Sequence, residues 1–411
     1  MYDYEGNTHM KFLYRILILA IAALLCLYLV KFPLPSGIEE ALTGIEDPVR
    51  DQYNMQQGLS RNFLNEPQQL IYDVIYQAID DQTEKVSIPV GGYVETDIKT
   101  VLLSLLNDCP GFFWIDYSDC SYAFDDYGTT FYLSYLYKGA ELEIMRKQLD
   151  DAVADIVQKT RAIVNSGEYD MAVYTHDLIA ATCEYDKTLS APDIHNAYGA
   201  LVSKKAVCDG YAHAYQMVLQ QLNIECHYVS GEARGPNGAE GHAWNIIKIG
   251  EEYTTVDLTW NDIDSYLFED FIAPSEDITS HIYFGISSEE MKQTHKVDED
   301  FIYELPEAID MNWYRYNELI GATPEEVADK ASDKLIENIY RSVPYVEFIL
   351  TDKEAFDAFL EEYNGTIIDM SNLKLQEMGE DRTFMSEMNC FVTNKDKGCI
   401  LVLVELDTTG D

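Results

Sequence analysis

The strongest constraint in the chain is a pair of β-rich runs, Gly241–Ile249 and Glu252–Trp260, flanking the dipeptide Gly250-Glu251. β-Branched and aromatic residues suit a pleated, half-buried surface, and a two-residue link containing Gly between two such runs predicts a hairpin. Pairing Ile249 with Glu252 sets Trp244 opposite Asp257 and His242 opposite Thr259. Side chains alternate with period two, so His242, Trp244, Asp257 and Thr259 fall on one face, and the Asp257 carboxylate lies diagonal to the His242 imidazole within hydrogen-bonding reach. A slip of one residue would send the two groups to opposite faces.

Upstream stands Lys204-Lys205-Ala206-Val207-Cys208-Asp209-Gly210-Tyr211-Ala212, and from Asp209 to Leu222 the apolar residues Ala212, Tyr215, Val218, Leu219 and Leu222 recur at helical spacing. Cys208 therefore falls in the first turn of a helix. There, unpaired backbone N–H groups and the positive end of the helix dipole favour thiolate over thiol. A Cys nucleophile, a His that takes and returns protons and an Asp that orients the His make up the chemistry of acyl transfer. The Cys208 backbone N–H is the natural first oxyanion donor. Tyr198, His195 and Trp244 are candidates for the second donor or for a substrate groove.

The blocks Val207-Cys208-Asp209-Gly210-Tyr211-Ala212, Gly241-His242-Ala243-Trp244-Asn245 and Val256-Asp257-Leu258-Thr259-Trp260-Asn261-Asp262 together resemble the transglutaminase-like superfamily. His176-Asp177, Tyr185, Ala197-Tyr198-Gly199-Ala200-Leu201 and Tyr283-Phe284-Gly285-Ile286-Ser287 fit the same pattern. The match is strong over roughly residues 170–290 and closest to the bacterial membrane-anchored or secreted branch. The resemblance implies an α+β fold with a papain-like core, and Cys208, His242 and Asp257 as the triad. Members of the superfamily crosslink proteins, hydrolyse amides or have lost catalysis. The implied function is an extracellular cysteine-dependent acyl transferase or amide hydrolase acting through a thioester on protein or cell-wall peptide. A catalytically inactive surface binding or scaffold module is the alternative.

Around this segment the chain divides into a cytoplasmic tail and transmembrane signal anchor (1–32), a stalk (33–65) and an N-terminal α/β region (66–140). A catalytic domain (141–322) and a small C-terminal α/β appendix (323–411) follow. From Phe12 to Phe32 the run is apolar apart from Arg15 and Lys31, about the ~20 residues that span a bilayer. Lys11 and Arg15 on its N-terminal side place the tail in the cytoplasm and the catalytic domain outside, in a single-pass cell-membrane protein. The sequence predicts helices over Glu66–Asp80, Ile98–Leu106, Glu141–Asn165, Asp170–Tyr185, Pro192–Val202, Thr323–Asn338 and Asp352–Tyr363. Strands are predicted within Phe112–Tyr137 and over Tyr345–Leu350, Thr383–Thr393 and Gly398–Leu406.

Lys+Arg is 28 against 72 Asp+Glu, so the net charge is 28 − 72 = −44. Such a chain lacks the basic footprint that binding a phosphate backbone requires, which excludes nucleic acid as a partner. The eight Cys show no CxxC or Cys/His spacing, so no structural zinc and no cofactor are expected. Cys109/Cys120 and Cys390/Cys399 are close enough in sequence to bridge outside the cell. Asp262, Asp264, Glu269 and Asp270 read as a solvated acidic face and not as a calcium loop.

Overall fold

Asn65 and Gln68 cap the first helix reciprocally, and Pro67 sits in its first turn, so α1 (Glu66–Asp80) begins where the sequence predicts. After it come β1 (Lys85–Ile88), α2 (Glu95–Asp108), β2 (Ser121–Asp125), β3 (Gly128–Tyr132), α3 (Gly139–Ile163), α4 (Glu168–Ala180), β4 (Glu184–Tyr185), a turn of π-helix (Gly199–Ser203) and β5 (Lys205–Ala206). The central elements are α5 (Cys208–Gln221), β6 (Cys226–Gly235), β7 (Gly238–Ile249), β8 (Glu252–Val256), α6 (Leu258–Asn261), β9 (Phe284–Ile286), α7 (Ser288–Met291) and β10 (His295–Val297). The C-terminal part holds α8 (Trp313–Tyr316), β11 (Ile320–Gly321), α9 (Pro324–Tyr340), β12 (Tyr345–Leu350), α10 (Lys353–Glu361), α11 (Thr366–Met378), β13 (Thr383–Asn394) and β14 (Cys399–Asp407).

The computed structural model describes residues 59–88, 95–125, 128–163, 167–189, 191–235, 238–262, 278–299, 304–340, 343–361, 365–380 and 382–407. The apolar segment 12–32 and the stalk up to residue 58 lie outside them. Among the described residues no helix is long and apolar enough to cross a membrane.

A five-stranded antiparallel sheet in the order β10-β6-β7-β8-β9 forms the centre. The hairpin register is the expected one: Ile249 pairs with Glu252 and Asn245 with Val256. The second strand is shorter than the sequence suggests. It ends at Val256, because the Asp257 side chain accepts the Trp260 N–H and starts the single turn α6. Thr259 thus sits on a helix and does not face His242, which instead pairs with Gly231 on β6.

α5 is buried along nearly its whole length and packs on β6 and β7 on one side and on α3 and α4 on the other. Gly210 makes its first turn possible. A Cβ there would stand 2.6 Å from the Ile194 carbonyl oxygen and 2.7 Å from the Ala206 Cβ.

The flanking sheets are β1-β3-β2 before this layer and β11-β12-β14-β13 after it. Among its described residues Phe112–Tyr137 contributes β2 and β3, within the two or three strands expected; the segment before them is turns, with one bridge between Ile115 and Tyr135. Pro192–Val202 is mostly turn and ends in the π-helical stretch, where the sequence suggests a short helix. One hydrophobic core runs from Leu64 to Val404, so the residues after 323 share their apolar interior with the central layer. All seven described cysteines are free, so neither candidate pair is bridged. Asp262 is buried, not solvated, and its Oδ2 accepts the Tyr211 hydroxyl at 2.6 Å. Asp264, Glu269 and Asp270 lie outside the described residues.

Candidate active site

Cys208 is the first residue of α5, after Val207 in extended conformation, as the helical spacing predicts. Its side chain is 9% exposed and packs with Ala212, Tyr228 and Ala243. The first backbone N–H groups of any helix lack intrahelical acceptors, so the Cys208 end of α5 presents free donors beside the sulfur. On β7, His242 turns its ring towards this point. Its Nε2 lies 2.8 Å from Asp257 Oδ2, and Cys208 is the next group to act on the ring after Asp257. An ionised carboxylate only accepts, so Nε2 carries the proton and Nδ1 is the nitrogen left for Cys208.

Burial opposes a charge on His242, yet the charge and hydrogen bond of Asp257, followed by those of Cys208, outweigh it and raise the pKa to about 10. Burial would raise Asp257, but the His242 charge and the hydrogen bonds from His242 and His295 hold it well below the usual carboxylate range. A cysteine at a helix start, a histidine on an antiparallel strand and a buried aspartate at the end of the next strand thus converge. Residues 155–260, which contain all three, match the Transglutaminase-like superfamily.

The chain carries a transglutaminase-like superfamily domain. A helix headed by cysteine and packed on an antiparallel sheet that bears the histidine and aspartate is the papain-like arrangement of this domain. Kyphoscoliosis peptidase from Homo sapiens is 27% identical over 124 residues, covering 27% of this chain and 18% of that protein. The chain thus spans less than a fifth of that relative's length. Among solved structures, a candidate cysteine protease from Cytophaga hutchinsonii is 18% identical, with a TM-score of 0.24 over 32% of this chain and 51% of that one. A TGase is 14% identical, with a TM-score of 0.26 over 47% of this chain and 55% of that one.

The three further candidates of the transglutaminase-like domain separate. Trp244 is buried beside His242, with ring centroids 6.3 Å apart, and supports the imidazole. His195 is 61% exposed, and its Nδ1 lies 2.9 Å from Oδ2 of Asp209, the residue after Cys208. The Asp209 hydrogen bond outweighs desolvation and raises the His195 pKa. Tyr198 is packed into the main core, stacked on Phe113 at 4.9 Å, and its hydroxyl donates to Gln148 Oε1 at 2.7 Å. It is thereby committed elsewhere than at Cys208.

Sequence reasoning missed His295. Its Nε2 lies 3.0 Å from the same Asp257 Oδ2, and its ring is walled by Trp244 and Trp260. No local pattern marks it, because it reaches Asp257 from β10, 38 residues further on.

A second histidine network joins His176-Asp177, which the resemblance marked, to His281 and Glu347, which no local pattern marked. His281 places Nε2 at 2.9 Å from Asp177 Oδ1 and Nδ1 at 3.2 Å from Glu347 Oε2, and its ring stacks on Trp313 at 4.0 Å. Both nitrogens face carboxylates, so both donate and the ring is an imidazolium. Burial opposes this, but Asp177 and then Glu347 raise the pKa to about 9. His176 Nδ1 lies 2.9 Å from the same Asp177 oxygen, and its Nε2 lies 3.0 Å from Asn261 Nδ2.

Each histidine set includes an Asp and has the spacing to hold a metal ion. Asn261 Oδ1 accepts the Tyr283 N–H, so its Nδ2 donates to His176 Nε2 and leaves the His176 proton on Nδ1. As hydrogen-bonded here, the nitrogens facing Asp177, like the two facing Asp257, donate to the carboxylate.

Proposed function

We propose that this domain is a cysteine-dependent acyl transferase or amide hydrolase with Cys208, His242 and Asp257 as its triad. The observation that carries the reading is the convergence of Cys208, at the head of α5, with a His242 ring whose far nitrogen is fixed on the buried Asp257. The raised affinity of His242 for a proton suits it to hold the proton while the sulfur attacks. The thiolate attacks an amide carbonyl carbon, and the oxyanion forms beside the Cys208 backbone N–H. His242 gives its Nδ1 proton to the leaving amine as the C–N bond breaks, leaving a thioester. It then takes a proton from the incoming water or amine, which attacks the thioester and releases the thiol sulfur. Asp257 stays ionised throughout and fixes the imidazole.

Water yields hydrolysis and a primary amine yields an isopeptide bond. The substrate in this reading is a protein or cell-wall peptide outside the cell, met by a domain tethered through the apolar segment 12–32. A net charge of −44 favours cationic acceptors, by attraction that salt would screen. The test has two readouts. Iodoacetamide at neutral pH should label Cys208 far faster than the other cysteines, and a labelled amine offered with a glutamine-rich acceptor should be incorporated or replaced by deamidation. Labelling of Cys208 at an ordinary thiol rate, with every activity intact in Cys208→Ala, would overturn the enzyme reading and leave a binding module.

A further inference from the structure

The Asp257 carboxylate is occupied on both oxygens. Oδ1 accepts the Trp260 backbone N–H at 3.0 Å, which pins the group against rotation. Oδ2 accepts twice, from His242 Nε2 at 2.8 Å and from His295 Nε2 at 3.0 Å. His295 cannot be a bystander in this arrangement. The carboxylate oxygen offers only lone pairs, so His295 must present an N–H to it. Burial disfavours its charged form, and its Nδ1 lies 2.8 Å from the Thr294 hydroxyl oxygen. Its ring sits among Trp260 at 4.6 Å, Trp244 at 5.0 Å and Tyr283 at 5.9 Å between centroids.

The backbone is shaped to allow this. Gly231 on β6 pairs with His242 on one side and with Val297 of β10 on the other. A Cβ at Gly231 would stand 2.2 Å from the Lys296 carbonyl oxygen and 2.9 Å from the Trp244 ring. The missing side chain lets β10 close on β6 and bring the two imidazoles within 5.4 Å.

We propose that His295 is a positioning residue for the reacting pair: by donating to the Asp257 oxygen that also holds His242, it sets how tightly His242 keeps its proton and so the upper pH limit of Cys208 reactivity. This rests on the triad reading above. While His242 is an imidazolium, the carboxylate has a charge partner. Once His242 is neutral, the carboxylate depends on its N–H donors alone. Loss of the His295 donor therefore costs the neutral-His242 state more, and His242 should hold its proton to higher pH. The titratable groups facing the pair are Cys208 from α5, His295 from β10, Tyr283 ahead of β9 and His176 from α4.

The probe is iodoacetate, whose carboxylate needs the imidazolium beside the thiolate, so its rate falls when His242 loses its proton. Labelling of the Cys208 peptide in the full chain is followed by mass spectrometry across pH, on protein whose fold is checked by circular dichroism. His295→Phe keeps the ring volume without the donor, and its alkaline limb should move up by about one pH unit. His295→Gln keeps an amide N–H at a similar reach and should restore the wild-type limb. Coincident limbs in wild type and His295→Phe overturn the proposal. Should the Phe variant not fold, His295→Asn, too short to reach Asp257, must show the upward move, and a wild-type limb there overturns it equally. A wild-type Cys208 with no enhanced, bell-shaped reactivity is a different result: it sinks the triad reading itself.

Discussion

Glu347→Gln should make the stability of this protein lose part of its dependence on pH. His281 is 7% exposed and lies between Asp177 and Glu347, which is 1% exposed. Its pKa rises from 6.5 in a free chain to about 9 in the fold. One pKa unit corresponds to about 1.4 kcal/mol, so the shift links about 3 kcal/mol of stability to the His281 proton. The folded state holds that proton more tightly than the unfolded chain. The stabilisation is therefore complete below pH 6.5 and drains away as pH rises through about 9. Gln retains an acceptor for His281 and for the Tyr314 hydroxyl, which donates to Glu347 Oε2 at 3.1 Å, but it removes the charge. The expected cost at pH 6 is about 2 kcal/mol, the scale of a hydrogen bond to a charged group. Near pH 10 His281 is neutral in both proteins and the gap should close. Urea midpoints of the two chains at pH 6, 8 and 10 measure this. His242, raised to about 10, drains stability in the same direction, but it does so in both chains and cancels in the difference. A gap that stays constant with pH would refute the reasoning.

Three further outcomes follow from the same geometry. Asp257→Asn keeps an acceptor for the Trp260 N–H but withdraws the charge from His242, and iodoacetate labelling of Cys208 at neutral pH should fall by about 10-fold or more. Gly210→Ala forces a methyl to within 2.6 Å of the Ile194 carbonyl oxygen, so urea unfolding should show a loss of about 1–3 kcal/mol. A chain ending at residue 322 removes Glu347 and the Tyr345 hydroxyl, which donates to the Thr279 carbonyl at 3.0 Å, and opens the shared core. It should fail to give a cooperative thermal transition, and a soluble fragment with wild-type Cys208 labelling would show that the C-terminal sheet is dispensable.

What the sequence alone determined is local. A Gly-containing turn and period-two alternation decide which residues of β7 and β8 pair, and helical spacing decides that Cys208 heads α5. Each depends on neighbours a few positions away, so the His242–Asp257 bond was legible before any coordinates. In this hairpin the local reading failed where a side chain competed with the strand: Asp257 capped a helix, and Thr259 left the sheet. Tertiary structure alone decided the rest. His295 reaches Asp257 across 38 residues and Glu347 reaches His281 across 66. No periodicity encodes such contacts, since they arise only when strand order brings β10 beside β6 and the fold sets α4 and β12 at the two nitrogens of His281. Burial followed the same rule. Tyr198 could line a groove by its residue type, but packing on Phe113 spent it in the core. The acid count could not show that Asp257 and Glu347 lie inside and Asp177 half-buried, each facing an imidazole, because charge is a property of the residue and its environment is a property of the fold.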